Sequence, residues 1–163
     1  MSEVVARTDR LEATQAVGEA LAGLVQPGDL VLLSGEMGAG KTALTQGLGR
    51  GLGVTDRITS PTFTIAHEYE GRCTVHHLDV YRLEHLNEAL DVGLSEILDD
   101  GSVVVIEWGD AIVPVLPLDF LEVRLAFGDG DDDRVLRFRP VGHRWLARER
   151  ALADVVARWG GPC

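Results

Sequence analysis

Gly35, Gly40, Lys41 and Thr42 meet the spacing G-x-x-x-x-G-K-[ST] within the stretch SGEMGAGKTALTQGLG, which runs from Ser34 to Gly49. Glycines at those places free the backbone to close its amide N–H groups on phosphate oxygens. Lys41 brings an ammonium that reaches the β- and γ-phosphates, and the Thr42 hydroxyl is placed to complete the shell of a Mg²⁺ ion. Every basic residue of the chain except Lys41 is an arginine. Lysine thus stands where a compact charge on a flexible stem is wanted, a role a planar guanidinium fills poorly. The same fact narrows the base. Guanine-specific proteins with this loop usually carry Asn-Lys-x-Asp, which needs a further lysine, so ATP is the expected nucleotide.

A phosphate loop that hydrolyses its nucleotide needs a carboxylate at the end of a neighbouring strand, to orient Mg²⁺ and water. Glu107 ends VVVIE, the most apolar run in the chain, and Asp79 ends TVHHLD. Ligands of open α/β sheets gather at the carboxyl ends of the strands, so both acids are expected to face the loop. Trp108 follows Glu107 directly and is either core or a contact beside the acid. TSPTFT (Thr59 to Thr64) supplies hydroxyls at Ser60, Thr62 and Thr64. That segment reads either as a switch that reaches the γ-phosphate or as an ordinary Ser/Thr/Pro turn.

These residues need elements to hold them. DLVLLS (Asp29 to Ser34) is an apolar run without alternation, which predicts a strand buried on both faces. A helix is predicted from about Lys41 to Leu52, closed by Gly53. Strand, loop and helix together form the context the phosphate motif requires. Before them, helical spacing from Asp9 to Val25 predicts another helix, with Asp9 and Glu12 as a capping pair. TFTIAHEY and CTVHHLDVY flank Glu70–Arg72 as a hairpin. LNEALDVGLSEILDDG reads as two short helices broken near Gly93, and SVVVIEW (Ser102 to Trp108) as a second buried strand. FLEVRLAF and RVLRFRP alternate across the acidic loop GDGDDD as a further hairpin, and HRWLARERALADVVARW predicts one amphipathic helix. The whole predicts a single α/β domain with a mixed sheet between helices.

The bulk numbers set bounds. With 163 residues, 45% of them apolar, the chain can bury a sizeable core in one domain. No apolar run reaches the roughly 18 residues of a spanning helix, and the start lacks a signal-peptide layout, so a cytoplasmic protein without membrane contact is expected. Cys73 and Cys163 form no metal-spaced set. The formal charge of −11 argues against direct binding of bare nucleic acid, which draws on a basic footprint. His76 and His77 are adjacent and point to opposite faces of a strand, so they do not share a metal. Asp129, Asp131 and Asp133 imitate a calcium loop, but Arg134 and Pro140 occupy the places of its glycine and glutamate.

GEMGAGKT, SPTFT, HLDVYRL and IEWGD occur in this order and spacing. On those motifs, nearly the whole chain resembles the TsaE (YjeE) family, small bacterial ATPases that serve threonylcarbamoyl-adenosine synthesis on tRNA. The resemblance implies a P-loop α/β fold with ATP on Gly38, Ala39, Gly40, Lys41, Thr42 and Ala43. It implies Mg²⁺ held or oriented by Thr42 and Glu107 with Asp79 close by, a switch-like segment from Ser60 to Thr62, and Trp108 flanking the site. Thr14 and Arg134 are its candidates for the adenine. The implied partners are TsaB and TsaD homologues, with tRNA reached only through them. Ala43 departs from the family pattern by replacing a second hydroxyl residue, Leu78 by replacing an aromatic and Gly109 by replacing a proline.

Two other functions match the loop. A small P-loop metabolite kinase fits the length, but its arginine-bearing lid would have to be the acidic DGDDDR. A nucleotide-binding adaptor without turnover fits the motif as well. The partner-dependent ATPase is the leading expectation.

Overall fold

The computed structural model describes residues 4–59, 66–80, 94–108 and 119–160. The elements in chain order are β1 (Val4–Thr8), α1 (Leu11–Leu21), β2 (Leu30–Ser34), α2 (Lys41–Gly51), β3 (Ala66–Glu70), β4 (Thr74–Val80), α3 (Leu94–Asp99), β5 (Val103–Trp108), β6 (Phe120–Phe127), β7 (Arg134–Val141), α4 (His143–Leu146) and α5 (Glu149–Val155). A short 3-10 turn covers Ala157–Trp159. The strands form one seven-stranded sheet in the order β1-β7-β6-β2-β5-β4-β3.

The centre is parallel and the rims are antiparallel. β2 pairs in parallel with β5 on one side and β6 on the other, and β5 continues in parallel to β4. β3 closes one edge and the β6–β7–β1 meander the other, all antiparallel. Every residue of β2 and β5 is buried, as expected of parallel strands covered on both faces.

Two apolar layers do the covering. Val31, Leu33, Val103, Val105, Leu121 and Val123 pack on the face that carries α1, α2, Trp145 of α4 and Leu152 of α5. Leu30, Leu32, Val104, Ile106 and Trp108 pack on the other face, with Leu98 of α3. The strand period of two sends alternate residues of one strand to opposite layers.

Four expectations change. β1 is an additional strand, recruited by the free edge of β7. Asp9 does not cap α1; Arg10 holds that place, without a side-chain cap bond. The first four residues of β6 are all buried, because its pairing with β2 places them in the middle of the sheet. The terminal helix is broken at Arg148. That guanidinium lies 2.5 Å from buried Asp29, and such an anchor outweighs small differences in helix propensity. The helix predicted ahead of Gly93 lies outside the described residues.

Candidate functional site

The loop between β2 and α2 is shaped by its glycines. Gly35 sits at φ +152°, and a Cβ there would come within 2.5 Å of the Leu125 carbonyl oxygen. Gly40 takes φ +109° as the N-cap of α2. Both positions therefore demand glycine. The first helical bond runs from the Leu44 N–H to the Gly40 carbonyl at 2.9 Å. The amides of Lys41, Thr42 and Ala43 precede it, so they have no partner inside the helix and carry its partial positive charge. Ala39 is fully buried, and its N–H donates within the loop to the Glu36 carbonyl at 3.0 Å. The Lys41 ammonium donates to the Gly35 carbonyl at 2.7 Å, which folds the side chain back across the loop.

Below the loop lies the acid. Glu107 is 3% exposed, and the Thr42 hydroxyl stands 3.5 and 3.4 Å from its two carboxylate oxygens. Those contacts are long for an O–H···O bond, so Thr42 leaves most of the carboxylate's accepting capacity free. Asp79 is the register partner of Glu107 on β4, hence on the same face of the sheet. The topology thus brings Lys41, Thr42, Glu107 and Asp79 to one end of the sheet, on the α2 side.

This donor set suits magnesium. A carboxylate, a neighbouring carboxylate and a hydroxyl are hard oxygen donors. Among the described residues no group of three or more His, Cys, Asp and Glu could hold a metal. Magnesium does not require such a cage, since it takes one or two carboxylates and completes its shell with phosphate and water.

Thr14 and Arg134 also converge on the loop. Together with Gly38, Gly40 and Ala43 they line a cavity of about 200 Å³. Thr14 is buried and shares a hydrogen bond of 2.7 Å with the Thr8 hydroxyl. Arg134 stacks 4.7 Å over the Phe127 ring and donates to the Gly38 carbonyl at 3.2 Å. Helix α1 and hairpin β6–β7, distant in sequence, so form two walls of one recess.

Trp108 goes elsewhere. One residue beyond Glu107, it turns to the opposite face and packs with Leu30, Leu32 and Ile106. Strand alternation alone separates it from the carboxylate side. Ser60, Thr62 and Thr64 lie outside the described residues. The approach to them is tied down, because Gln46 of α2 donates to the Ile58 carbonyl at 2.9 Å and accepts from Gln15 of α1 at 2.9 Å.

One residue of the site escaped the sequence reading. His77 is fully buried, and its Nε2 contacts Oε2 of Glu107. The signal was present in HLD: His77 and Asp79 are two apart on a strand and must share a face.

Comparisons with known proteins agree on one family. The sequence model for "threonylcarbamoyl adenosine biosynthesis protein TsaE" matches residues 8–135. The Bacillus subtilis protein named tRNA threonylcarbamoyladenosine biosynthesis protein TsaE is 40% identical over 160 residues, spanning 96% of this chain and 99% of its own. The Streptomyces coelicolor protein of the same name is 47% identical over 147 residues, spanning 85% and 95%. The crystal structure of Bacillus subtilis YdiB superposes with a TM-score of 0.75 at 34% identity, over 96% of this chain and 95% of that one.

Proposed function

The chain belongs to the TsaE family and has a P-loop NTPase fold, and from that premise we propose that it is a magnesium-dependent ATPase of low intrinsic activity. It assists formation of the threonylcarbamoyl group on tRNA adenosine, in the cytoplasm, together with TsaB and TsaD homologues. The observation that carries this reading is the meeting of the Thr42 hydroxyl with buried Glu107 beneath a glycine loop.

The residues divide the work. Amides of the loop and of the first turn of α2 bind the phosphates, and the Lys41 ammonium leaves the Gly35 carbonyl to reach the β- and γ-oxygens. Thr42, Glu107 and Asp79 would hold or orient Mg²⁺, which supplies neutralisation of charge on the phosphate oxygens. Glu107 orients a water molecule in line with the γ-phosphorus. The water oxygen forms its bond to phosphorus as the bond to the bridging oxygen breaks, ADP leaves with that electron pair, and the water's proton passes to an oxygen of the released phosphate. Loop amides and Lys41 stabilise the charge on the transferring group. Thr14 and Arg134 border the recess open to the nucleoside.

The acidic chain fits a role in which partners make the RNA contact, since its formal charge is −11. The test is ATP hydrolysis by the purified protein, alone and with TsaB and TsaD homologues, joined to a pull-down of those proteins with and without ATP. Hydrolysis that rises with the partners is expected. Phosphorylation of a small metabolite faster than hydrolysis of ATP would sink the reading.

A further inference from the structure

Among the described residues His77 is the one fully buried histidine, and it lies against the strand-end acid. Its register partner on β5 is Val105, so the imidazole reaches diagonally along the sheet to Glu107, two residues further on. We propose that His77 is a positioning residue: its Nε2–H holds the Glu107 carboxylate in the direction that the phosphate loop requires.

Three observations carry this. A carboxylate oxygen accepts, so in this contact Nε2 is the donor. Among the described residues Nδ1 is buried and has no hydrogen-bond partner. A leucine would fill this interior without leaving a nitrogen unpaired, so the imidazole is accounted for by its bond to Glu107 and not by packing. Finally, Glu107 has three rotatable bonds, and its contacts with Thr42 are only 3.4 and 3.5 Å. Among the described residues the bond to His77 is the one that fixes the carboxylate.

This inference rests on the ATPase reading, in which Glu107 orients metal and water. The test compares His77→Leu, which removes the donor, with His77→Gln, whose side-chain amide reaches about as far as Nε2 and keeps it. Both are assayed as full-length protein with the partner proteins present. Loss of a hydrogen bond that orients a metal-holding carboxylate costs roughly 10- to 100-fold; that fall is expected in kcat for the leucine variant. Its KM for ATP should stay within about threefold, and the glutamine variant should recover most of kcat. A leucine variant with wild-type kcat, or a glutamine variant no better than leucine, overturns the proposal.

Should the leucine variant fail to fold, ¹⁵N NMR of the imidazole in unaltered protein replaces it. A proton on Nε2 is expected, and an unprotonated Nε2 overturns the assignment. A wild-type protein that hydrolyses no ATP beside its partners refutes the ATPase reading. A wild-type protein that does hydrolyse, with an unchanged leucine variant, refutes this inference alone.

Discussion

Asp79 and Glu107 are direct register partners on adjacent parallel strands, β4 and β5, on the side of the sheet that carries α2. Two carboxylates so placed would repel each other, and a divalent cation held between them, as proposed above, would relieve that repulsion. Glu107→Gln keeps an oxygen to accept from His77, so the fold should survive. Loss of a group that acts on the developing charge typically costs 10²- to 10³-fold. Hydrolysis should fall by about that much, while calorimetric ATP affinity changes less than about tenfold. Binding lost in parallel with turnover would remove Glu107 from the chemical step.

The Lys41 ammonium rests on the Gly35 carbonyl at 2.7 Å, and under the proposed function it would carry the phosphate contact. A hydrogen bond to a charged group contributes about 1.5–3 kcal/mol. Lys41→Ala should therefore weaken ATP binding by about 10- to 150-fold in a calorimetric titration. In cells it should abolish the contribution to tRNA modification. Wild-type modification with this variant would favour the adaptor reading.

Helices α1 and α2 touch through backbone. A Cβ on Gly47 would lie 1.8 Å from the Gln15 carbonyl oxygen, and one on Gly18 would lie 2.2 Å from the Leu44 oxygen. Neither neighbour is a flexible side-chain tip, so alanine must push the helices apart. Overpacking of this kind costs roughly 1–3 kcal/mol. Gly47→Ala should lower the urea midpoint accordingly, although alanine is the better helix former. An unchanged midpoint would mean that α2 slides freely over α1.

Asp29, at the foot of β2, is 1% exposed and sits between Arg148 at 2.5 Å and Arg144 at 3.0 Å. It also accepts from the Gln26 N–H at 2.7 Å. This cluster ties the terminal helices to the strand that feeds the phosphate loop. Removing one partner of a buried pair costs about 3–5 kcal/mol, and the remaining Arg144 should reduce that to roughly 2–3 for Arg148→Met. Chemical denaturation checks the figure, and a change below about 0.5 kcal/mol would mark the pair as a surface contact.

Cys73 has its thiol pushed above the ordinary value of 9.0, chiefly by burial, with Arg72 pulling the other way. The folded state thus favours the neutral thiol. Its contribution to stability is present below the unfolded value and is lost as pH rises through the folded one. Alkylation at mildly alkaline pH, followed by peptide mass spectrometry, should be slower at Cys73 than in the urea-unfolded chain. Equal rates would show that burial does not protect it.

Much of the site was legible in residue order. The phosphate loop, Glu107 and Asp79 could be placed because strand, glycine turn and helix follow one another locally. What escaped was non-local. The role of His77 depends on which strand lies beside β4. The burial of Trp108 away from Glu107 follows from strand alternation once the two faces are known. The kink at Arg148 follows from a partner, Asp29, far back in the chain.

By itself the sequence determined the loop, because glycines at Gly35 and Gly40 and the cation at Lys41 act within one turn of their neighbours. It also determined that two strands carry an acid close to their carboxyl ends. Only the tertiary structure decided that Glu107 meets Thr42 and His77, and that Thr14 and Arg134 wall the same recess. Those meetings depend on strand order and register, which arise from burying two apolar faces at once and which no local pattern encodes.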